Sequence, residues 1–527
     1  MSLSIVKRIF PSWQNALLAV IAAVLLILAF PDFEYWFLAW FALVPLMFAV
    51  EREKASVVRS LVTGWIFGTI FFFGTCWWLT FAPIHYAGFP PWLAYSGMMF
   101  VALIVGVFPA LFAAILSVLL RRFGSLAFLA APFVWVFTEF LRYWVTGNNW
   151  NAIGYSQAFG SIFVNLATLG GILIVGFAIA AFNSLIVFSI NTRRHSAWSF
   201  PPVFLLIAAL VSYVLTPDSQ PGPSSIKKES GQIVAIQPNI PMSGLDYEKW
   251  GQLRKHQTDL AEAEIKKLNQ QQSSNNEQST LVILPESPMN FMYEDDREFQ
   301  QFIGDFARRN NVSVLFNSAE PDATNGKYFN SAVMVGPDGK EVAEYDKIFL
   351  LPFGEAVPQL LEGIVPGFVG NFSYGREYDI LPVGDAKAGV MICFESHFGQ
   401  LSRRYVLDGA DVLIEMTNDG YLGPTPVLRQ HLANAVFRAV ETNRPVLRVT
   451  NVGISAYITE KGSVLDATMP YQEDTRVWSV SKSDGSQTLY VKYGDWFAWL
   501  CSVVTVGLLI FGVTSRRRRI LTTDEIG

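Results

Sequence analysis

The 527-residue sequence has little cysteine, histidine or charge, with three Cys, five His and 16% Asp, Glu, Lys and Arg. Three cysteines cannot form a multi-disulfide scaffold, and the histidines show no metal-ligand spacing, so we predict no metal and no cofactor. The net charge of -5 does not indicate a basic surface for nucleic-acid binding. The sequence also lacks the G-x-S-x-G motif that carries the serine nucleophile of α/β-hydrolases. These absences argue against disulfide-rich, nucleic-acid-binding and α/β-hydrolase proteins.

Apolar residues, by contrast, make up 51% of the chain and concentrate in long runs. Crossing about 30 Å of hydrocarbon takes roughly 20 helical residues. We therefore predict a multi-span α-helical membrane domain of about eight transmembrane helices, centred on residues 13–30, 34–50, 60–82, 92–120, 124–146, 161–190, 199–216 and 495–514. Seven spans fall in 1–216, and the eighth belongs to a C-terminal segment, 495–527, with a basic tail.

The positive charges of the short loops predict the orientation, because cytoplasmic loops keep the excess of Lys and Arg. With a cytoplasmic N-terminus, the opposite loops 31–33, 83–91 and 147–160 contain neither residue type. Both termini are then cytoplasmic. The cytoplasmic side receives Lys7, Arg8, Arg52, Lys54, Arg59, Arg121, Arg122, Arg193, Arg194 and the run 516–519.

Residues 217–494 contain no run that could span a membrane and are predicted to form an exported domain, outside the cytoplasm. Short apolar strands alternate there with polar helical segments, which indicates a layered α/β or α+β fold. Strands are predicted at 232–238, 280–286, 312–318, 331–336, 341–346, 389–393, 411–417, 445–450 and 453–459. Helices are predicted at 247–269, 296–310, 397–408 and 427–441, and "GPDGK" is predicted to form a hairpin turn.

Two ionisable residues, Glu139 and Arg142, lie within a predicted span. Charged groups in a membrane are expensive and usually paired. Because the two residues are three apart on one helical face, we favour a local salt bridge. The alternative is a pocket for a lipid headgroup.

Three residue types at strand ends suggest covalent catalysis in the exported domain. Glu286 follows "LVIL", Lys347 follows "EVAEYD", and Cys393 follows "GVMI" without a partner cysteine in the exported domain. A carboxylate can accept the proton of a thiol nucleophile, and an ammonium can stabilise the oxyanion that forms. Taken singly, the acid fits a helix cap, the lysine a surface position and the thiol a small core residue; the combination favours catalysis.

The order "LPES", "YDKIFLLPFGE", "GVMICFES", "TNDGYLG" and "RAVETNRP" resembles the nitrilase, or carbon-nitrogen hydrolase, superfamily. Together with the membrane segment and its "WNAIGYSQ" stretch, it is similar to the apolipoprotein N-acyltransferase family of that superfamily. The resemblance implies a nitrilase-like αββα sandwich. It also implies a triad in which Glu286 is the general base, Lys347 the oxyanion partner and Cys393 the acyl-carrying nucleophile.

Further site residues follow from the same resemblance. It implies that Glu355 and Glu395 support the triad, and that Phe394, Asn418 and Tyr421 contact substrate; Tyr421 and Leu422 replace the family's usual aromatics. Segment 356–375 places apolar side chains among Gly and Pro. We favour a lid or a membrane-dipping loop there, and the alternative is a packed surface loop. Its candidate contacts are Leu360, Leu361, Phe368 and Phe372. His397 is expected to be a structural or surface residue.

The reaction that the resemblance implies moves an acyl chain from the sn-1 position of a membrane phospholipid to Cys393. The chain then passes to the α-amino group of the diacylglyceryl-cysteine of an apolipoprotein. The partners implied are therefore the phospholipid donor, the apolipoprotein acceptor and the membrane, with a monomeric enzyme. The alternatives are a membrane-tethered amidase that hydrolyses a small C–N substrate, and a transporter or receptor with an inactive ectodomain.

The charge asymmetry of the loops generates the first testable prediction. A fluorescent reporter that folds only in the cytoplasm should give signal when fused after residue 527 and none when inserted within 270–279. A reporter enzyme active only after export should give the reciprocal pattern, which controls for expression. Cytoplasmic fluorescence from the insertion would contradict the predicted topology.

Overall fold

The computed structural model describes residues 8–192, 195–215, 229–271, 279–287, 291–352, 354–357 and 372–523. The chain divides into two compact units. The first combines Met1–Thr216 with Tyr493–Gly527, and the second is Pro217–Lys492.

The first unit is helical, and a helix overlaps each of the eight predicted spans. Among the described residues, four segments are long and apolar enough to cross a membrane, namely Val57–His85, Pro91–Thr146, Ile172–Thr192 and Ser196–Val214. Trp13–Leu28 and Trp496–Gly512 are shorter apolar helices, and the count of eight spans stays a prediction. The helices are α1 (Trp13–Leu28), α2 (Ala39–Glu53), α3 (Val57–Cys76), α4 (Phe81–His85), α5 (Pro91–Val105), α6 (Val107–Phe123), α7 (Ala131–Thr146), α8 (Ala167–Gly170), α9 (Ile172–Thr192), α10 (Phe200–Val214) and α16 (Trp496–Thr523).

Buried amide side chains connect helices of this unit. Asn183 of α9 accepts a hydrogen bond from Leu43 N–H at 2.9 Å and donates to the Ala39 carbonyl at 3.0 Å, so it bridges two backbone groups of α2. Gln157, in the "WNAIGYSQ" stretch, accepts from Trp40 Nε1 at 3.1 Å. Because polar groups surrounded by apolar side chains must be hydrogen-bonded, these contacts fix how the helices pack.

The favoured salt bridge between Glu139 and Arg142 is wrong. The Arg142 guanidinium donates to the Trp150 carbonyl at 2.7 Å and to Asn149 Oδ1 at 2.8 Å. Glu139 Oε1 accepts from Ile153 N–H at 2.8 Å, and within the described ranges no ion pair joins the two residues. The loop after α7 offers backbone groups to both side chains, and these contacts replace the direct pair.

The second unit contains two sheets. The first has the order β13-β1-β2-β3-β4-β5, with β6 beside β4, and the second has the order β12-β11-β10-β9-β8-β7. The strands are β1 (Glu229–Gln237), β2 (Thr280–Ile283), β3 (Ser313–Asp322), β4 (Lys327–Val335), β5 (Glu341–Asp346), β6 (Phe372–Ser373), β7 (Ile380–Val383), β8 (Ala386–Ile392), β9 (Val412–Thr417), β10 (Val446–Thr450), β11 (Ala456–Ile458), β12 (Val464–Leu465) and β13 (Asp474–Ser481). The central strands β1-β2-β3 and β8-β9-β10 are parallel and read as apolar runs because both faces are buried.

Helices cover the sheets and complete the predicted αββα arrangement. In the first sheet, Val234, Val282 and Val314 pack in one core with Ala261 of α11 and Phe299 of α12. The helices α13 and α14 pack on strands of the second sheet. The helices are α11 (Tyr247–Gln271), α12 (Arg297–Asn310), α13 (Gly399–Leu407), α14 (Val427–Thr442) and the short α15 (Leu489–Tyr493).

All nine predicted strands are present, and the described part of the chain has four further strands, β6, β7, β12 and β13, that are not predicted from the sequence. The "GPDGK" hairpin is confirmed, because Gly339 adopts φ +74° between the antiparallel β4 and β5. The strand β13 pairs with β1 in antiparallel register, with Glu229 opposite Ser481 and Gln237 opposite Asp474. The first and last described strands of the second unit are therefore neighbours.

A glycine in β8 allows α13 to approach the strand that precedes Cys393. A Cβ atom added at Gly389 would lie 2.4 Å from Tyr405 Cγ. The Tyr405 hydroxyl donates to the Val390 carbonyl at 2.7 Å, which holds the ring in that place. The close packing positions the strand that leads to the candidate nucleophile.

Gly389→Ala should therefore destabilise the second unit by about 1–3 kcal/mol, the usual cost of overpacking a filled core. The control is Gly251→Ala in α11, where an added Cβ meets nothing within 4 Å. This change should be neutral or stabilising, because Ala has the higher helix propensity. Thermal unfolding of the detergent-solubilised protein measures both, and equal unfolding temperatures for the two variants would contradict the packing argument.

Candidate active site

The structure brings together residues from the ends of four strands. Glu286 lies three residues after β2, Lys347 directly follows β5, and Cys393 directly follows β8. Asn418 directly follows β9. Side chains from both sheets of the second unit thus converge at one place.

Lys347 is buried among carboxylates. Its Nζ lies 2.8 Å from Glu355 Oε1 and 3.9 Å from Glu286 Oε1, and its side chain is only 1% exposed. Burial disfavours the ammonium, but the charges of Glu355 and Glu286 outweigh this and raise the pKa of Lys347 above its ordinary value. The side chain is therefore a fixed cation, and its burial excludes the surface position that the sequence also allowed.

Glu286 is held by two asparagines. Its Oε1 accepts from Asn330 Nδ2 at 3.2 Å, and its Oε2 accepts from Asn418 N–H at 3.0 Å. Asn330 also donates to Glu355 Oε1 at 2.7 Å, so one amide joins both carboxylates. Burial raises the pKa of Glu286, and the charge of Lys347 opposes the rise.

Sequence reasoning missed Asn330 and its neighbour Asn317. Asn317 donates from Nδ2 to Asn330 Oδ1 at 2.7 Å, and this bond orients the Asn330 amide toward the carboxylates. Both asparagines are buried within strands, Asn317 in β3 and Asn330 in β4. An amide in such a strand needs a polar partner, which is the signal that could have identified them.

Cys393 begins a 3₁₀ turn, Cys393–His397, and is partly exposed. Its φ of +53° lies in the left-handed region, which is unusual for a residue other than glycine. Burial and the charge of Glu286 raise the pKa of the Cys393 thiol well above its ordinary value, while Lys347 acts in the opposite direction. The thiol is therefore protonated at neutral pH and needs a base to react.

Glu395 is completely buried and connects the two sheets. Its Oε1 accepts from the Tyr345 hydroxyl at 2.8 Å and from the N–H groups of Ile348 and Phe349 at 2.7 and 3.0 Å. Its Oε2 accepts from Ile392 N–H at 2.9 Å. Burial raises the pKa of Glu395 to about 7, although the charge of Lys347 and these donors favour ionisation.

The other candidate contacts lie in different surroundings. Phe394 is buried and stacks on His397, Phe372 is half-buried in β6, and Tyr421 is 48% exposed beside the site. His397 is buried, which excludes a surface position. The lid candidates Leu360, Leu361 and Phe368 lie outside the described residues.

This arrangement can support nucleophilic chemistry at a carbonyl carbon. It supplies a thiol, a carboxylate, Glu286, whose charge acts on that thiol, and a cation that could face an oxyanion. Within the described ranges, no group of three or more His, Cys, Asp and Glu side chains could hold a metal ion.

The sequences of both units match known protein families. Residues 22–185 match the apolipoprotein N-acyltransferase N-terminal domain, and residues 233–490 match the carbon-nitrogen hydrolase family. The chain is 30% identical to the apolipoprotein N-acyltransferase of Geobacter metallireducens, with 96% of each chain covered. It is 29% identical to that of Pasteurella multocida, with 97% of each covered. The crystal structure of Saccharomyces cerevisiae Nit3, a nitrilase-superfamily member, is 17% identical, with a TM-score of 0.38 over 49% of this chain and 93% of that one.

The charges around Cys393 predict how its reactivity depends on pH. Because Glu286 raises the pKa of the thiol and Lys347 lowers it, Glu286→Gln should shift the pH midpoint of Cys393 alkylation down and Lys347→Met should shift it up. Iodoacetamide labelling across pH, with mass spectrometry of the Cys393 peptide, measures both shifts.

The matched control is Glu473→Gln, which removes an exposed carboxylate of the same unit and should leave the midpoint in place. An upward shift in Glu286→Gln would contradict the electrostatic account of the site.

Proposed function

The chain belongs to the apolipoprotein N-acyltransferase family, and from this membership we propose that it acylates the α-amino group of the diacylglyceryl-cysteine of apolipoproteins. The acyl donor is the sn-1 chain of a membrane phospholipid. The intermediate is a thioester on Cys393. The observation that carries the proposal is the buried contact of Lys347 with Glu355 and Glu286 in the unit that also presents Cys393.

The first half-reaction forms the thioester. Glu286 accepts the thiol proton as Cys393 Sγ attacks the carbonyl carbon of the donor ester, so a C–S bond forms while the carbonyl oxygen becomes an oxyanion. Lys347 stabilises that oxyanion; one such interaction typically contributes about 3–4 kcal/mol. The ester C–O bond then breaks, Glu286 returns the proton to the departing alcohol oxygen, and a lysophospholipid leaves.

The second half-reaction consumes the thioester. The neutral α-amino group of the acceptor attacks the thioester carbonyl, and Glu286 accepts a proton from the amine. The C–S bond breaks, the amide remains on the acceptor, and the proton passes to the Cys393 sulfur. Since the site returns to its starting protonation, each turnover transfers one acyl chain.

Glu355 and Glu395 are proposed to support this chemistry without reacting. Glu355 pairs directly with Lys347 and holds its ammonium in place. Glu395 binds the backbone that follows Lys347 and the last residue of β8. Both carboxylates thus determine where the lysine lies relative to Cys393.

The membrane unit fits two lipid-anchored substrates. The apolar helices and the named relatives indicate a bacterial membrane protein. We propose an inner-membrane enzyme that acts as a monomer, with the catalytic unit on the periplasmic side and both termini in the cytoplasm. This placement follows from the loop charges and brings the site to the compartment that exported apolipoproteins enter.

The proposed thioester can be trapped. Given phospholipid without acceptor, the protein should accumulate one fatty-acyl group on the Cys393 peptide, because an active site that excludes water slows hydrolysis. Neutral hydroxylamine should remove the group, and a diacylated lipopeptide should take it up as an amide. Intact-protein and peptide mass spectrometry measure each step.

The control is Cys393→Ala, which should fold but form neither adduct nor amide. An adduct on Cys76 or Cys501, or transfer by this variant near the parent rate, would refute the assigned nucleophile. Release of free fatty acid with no amide product, even with acceptor present, would instead favour the hydrolytic alternative.

A further inference from the structure

Four ionisable side chains form a buried cluster next to Cys393. The cluster consists of His431, Asp419, Glu415 and Arg448, each at most 3% exposed. Arg448 binds Asp419 Oδ2 at 2.8 Å and also binds Glu415. His431 Nδ1 lies 2.7 Å from Asp419 Oδ1. Two carboxylates and one guanidinium leave one negative charge, which a protonated imidazole would balance.

The contacts of His431 show that both ring nitrogens donate. Nδ1 faces the Asp419 carboxylate, and Nε2 lies 3.0 Å from the Cys393 carbonyl oxygen and 3.2 Å from Glu415 Oε1. A carbonyl and an ionised carboxylate can only accept, so each nitrogen must carry a hydrogen. Burial and the charge of Arg448 disfavour the imidazolium, but Asp419 and Glu415 outweigh them and raise the pKa of His431 to about 9.

The Cys393 carbonyl needs such a contact. The left-handed region is unfavourable for a residue other than glycine, so surrounding contacts must hold Cys393 at φ +53°. The Ser396 hydroxyl also donates to this carbonyl, but at 3.3 Å. Because C=O and N–H of a trans peptide point in opposite directions, the bond from His431 also fixes the direction of the next N–H, that of Phe394.

A second cation of α14 acts on the same turn. Arg438 lies seven residues after His431, on the same face of the helix, and donates to the carbonyls of Ser396 and His397 at 3.2 and 2.8 Å. Glu441 pairs with it at 2.6 Å. The helix thus holds the carbonyl groups at both ends of the 3₁₀ turn, with His431 at the end that bears the nucleophile.

We propose that His431 is a positioning residue, whose Nε2–H holds the Cys393 carbonyl and so keeps the thiol oriented toward Glu286. The inference rests on the proposed function in taking Cys393 as the nucleophile. The inference assigns no proton transfer to His431. Its Nδ1–H binds Asp419, and its Nε2–H faces the Cys393 carbonyl and Glu415.

Two substitutions separate this contact from the charge of the cluster. The amide nitrogen of Gln can replace Nε2 of histidine, and that of Asn can replace Nδ1. Both His431→Gln and His431→Asn remove the positive charge, whereas only His431→Gln retains a donor for the Cys393 carbonyl. The difference between the two variants therefore reports on that one contact.

All measurements use the full-length protein in detergent. His431→Asn should lower kcat for acyl transfer about tenfold or more with KM nearly constant, and His431→Gln should lower it about threefold, in keeping with the loss of one hydrogen bond. Iodoacetamide labelling of Cys393 at neutral pH should also slow in His431→Asn relative to His431→Gln. The two unfolding temperatures should lie within a few degrees, because both variants lose the same charge.

Equal kcat values or equal labelling rates in the two variants, or faster labelling in His431→Asn, would overturn the proposal. If His431→Asn does not fold, His431→Gln alone tests the proposal. A loss of about a hundredfold in the kcat of His431→Gln would then overturn it, because this variant retains the donor to the Cys393 carbonyl. A parent that transfers no acyl group but shows the expected labelling difference would refute the proposed function and leave the positioning role intact.

Discussion

The buried carboxylate of Glu395 is the contact on which the candidate active site depends. Three of its donors, Tyr345, Ile348 and Phe349, surround Lys347 in sequence, and the fourth, Ile392, precedes Cys393. One side chain therefore joins the lysine segment of the first sheet to the cysteine strand of the second. A buried carboxylate without partners would cost several kcal/mol, so its four donors make this connection possible and fix its geometry.

Charge balance around the thiol has a chemical consequence. Burial and the charge of Glu286 disfavour a thiolate at Cys393, and the charge of Lys347, which is shared with Glu286 and Glu355, does not outweigh them. Cys393 therefore stays protonated while the site is empty, in contrast to cysteines that are activated by a permanent ion pair with histidine. A protonated thiol resists oxidation and alkylation, so the same charges that make Cys393 depend on a base also protect it from side reactions.

Much of the second unit could be predicted from the sequence, because its parallel strands are apolar runs that end at residues with ionisable or nucleophilic side chains. The strand β13 was missed because Asp474 and Arg476 make "DTRVWSVS" resemble a surface loop, and only pairing with β1 makes it a strand. In the same way, no local pattern indicates that Asn330 joins two carboxylates or that His431 reaches Cys393 from 38 residues away. Such contacts depend on the register of strands and helices distant in sequence, which composition and spacing do not encode.

The pairing of β1 with β13 also determines which strand forms the edge of the first sheet. The two strands form an antiparallel ladder from Glu229 opposite Ser481 to Gln237 opposite Asp474, and β13 is the outer strand. An apolar edge strand such as β1 would present unpaired N–H and C=O groups that could pair with another chain. By covering that edge with a strand that carries Asp474 and Arg476, the fold protects its apolar centre from edge-to-edge aggregation.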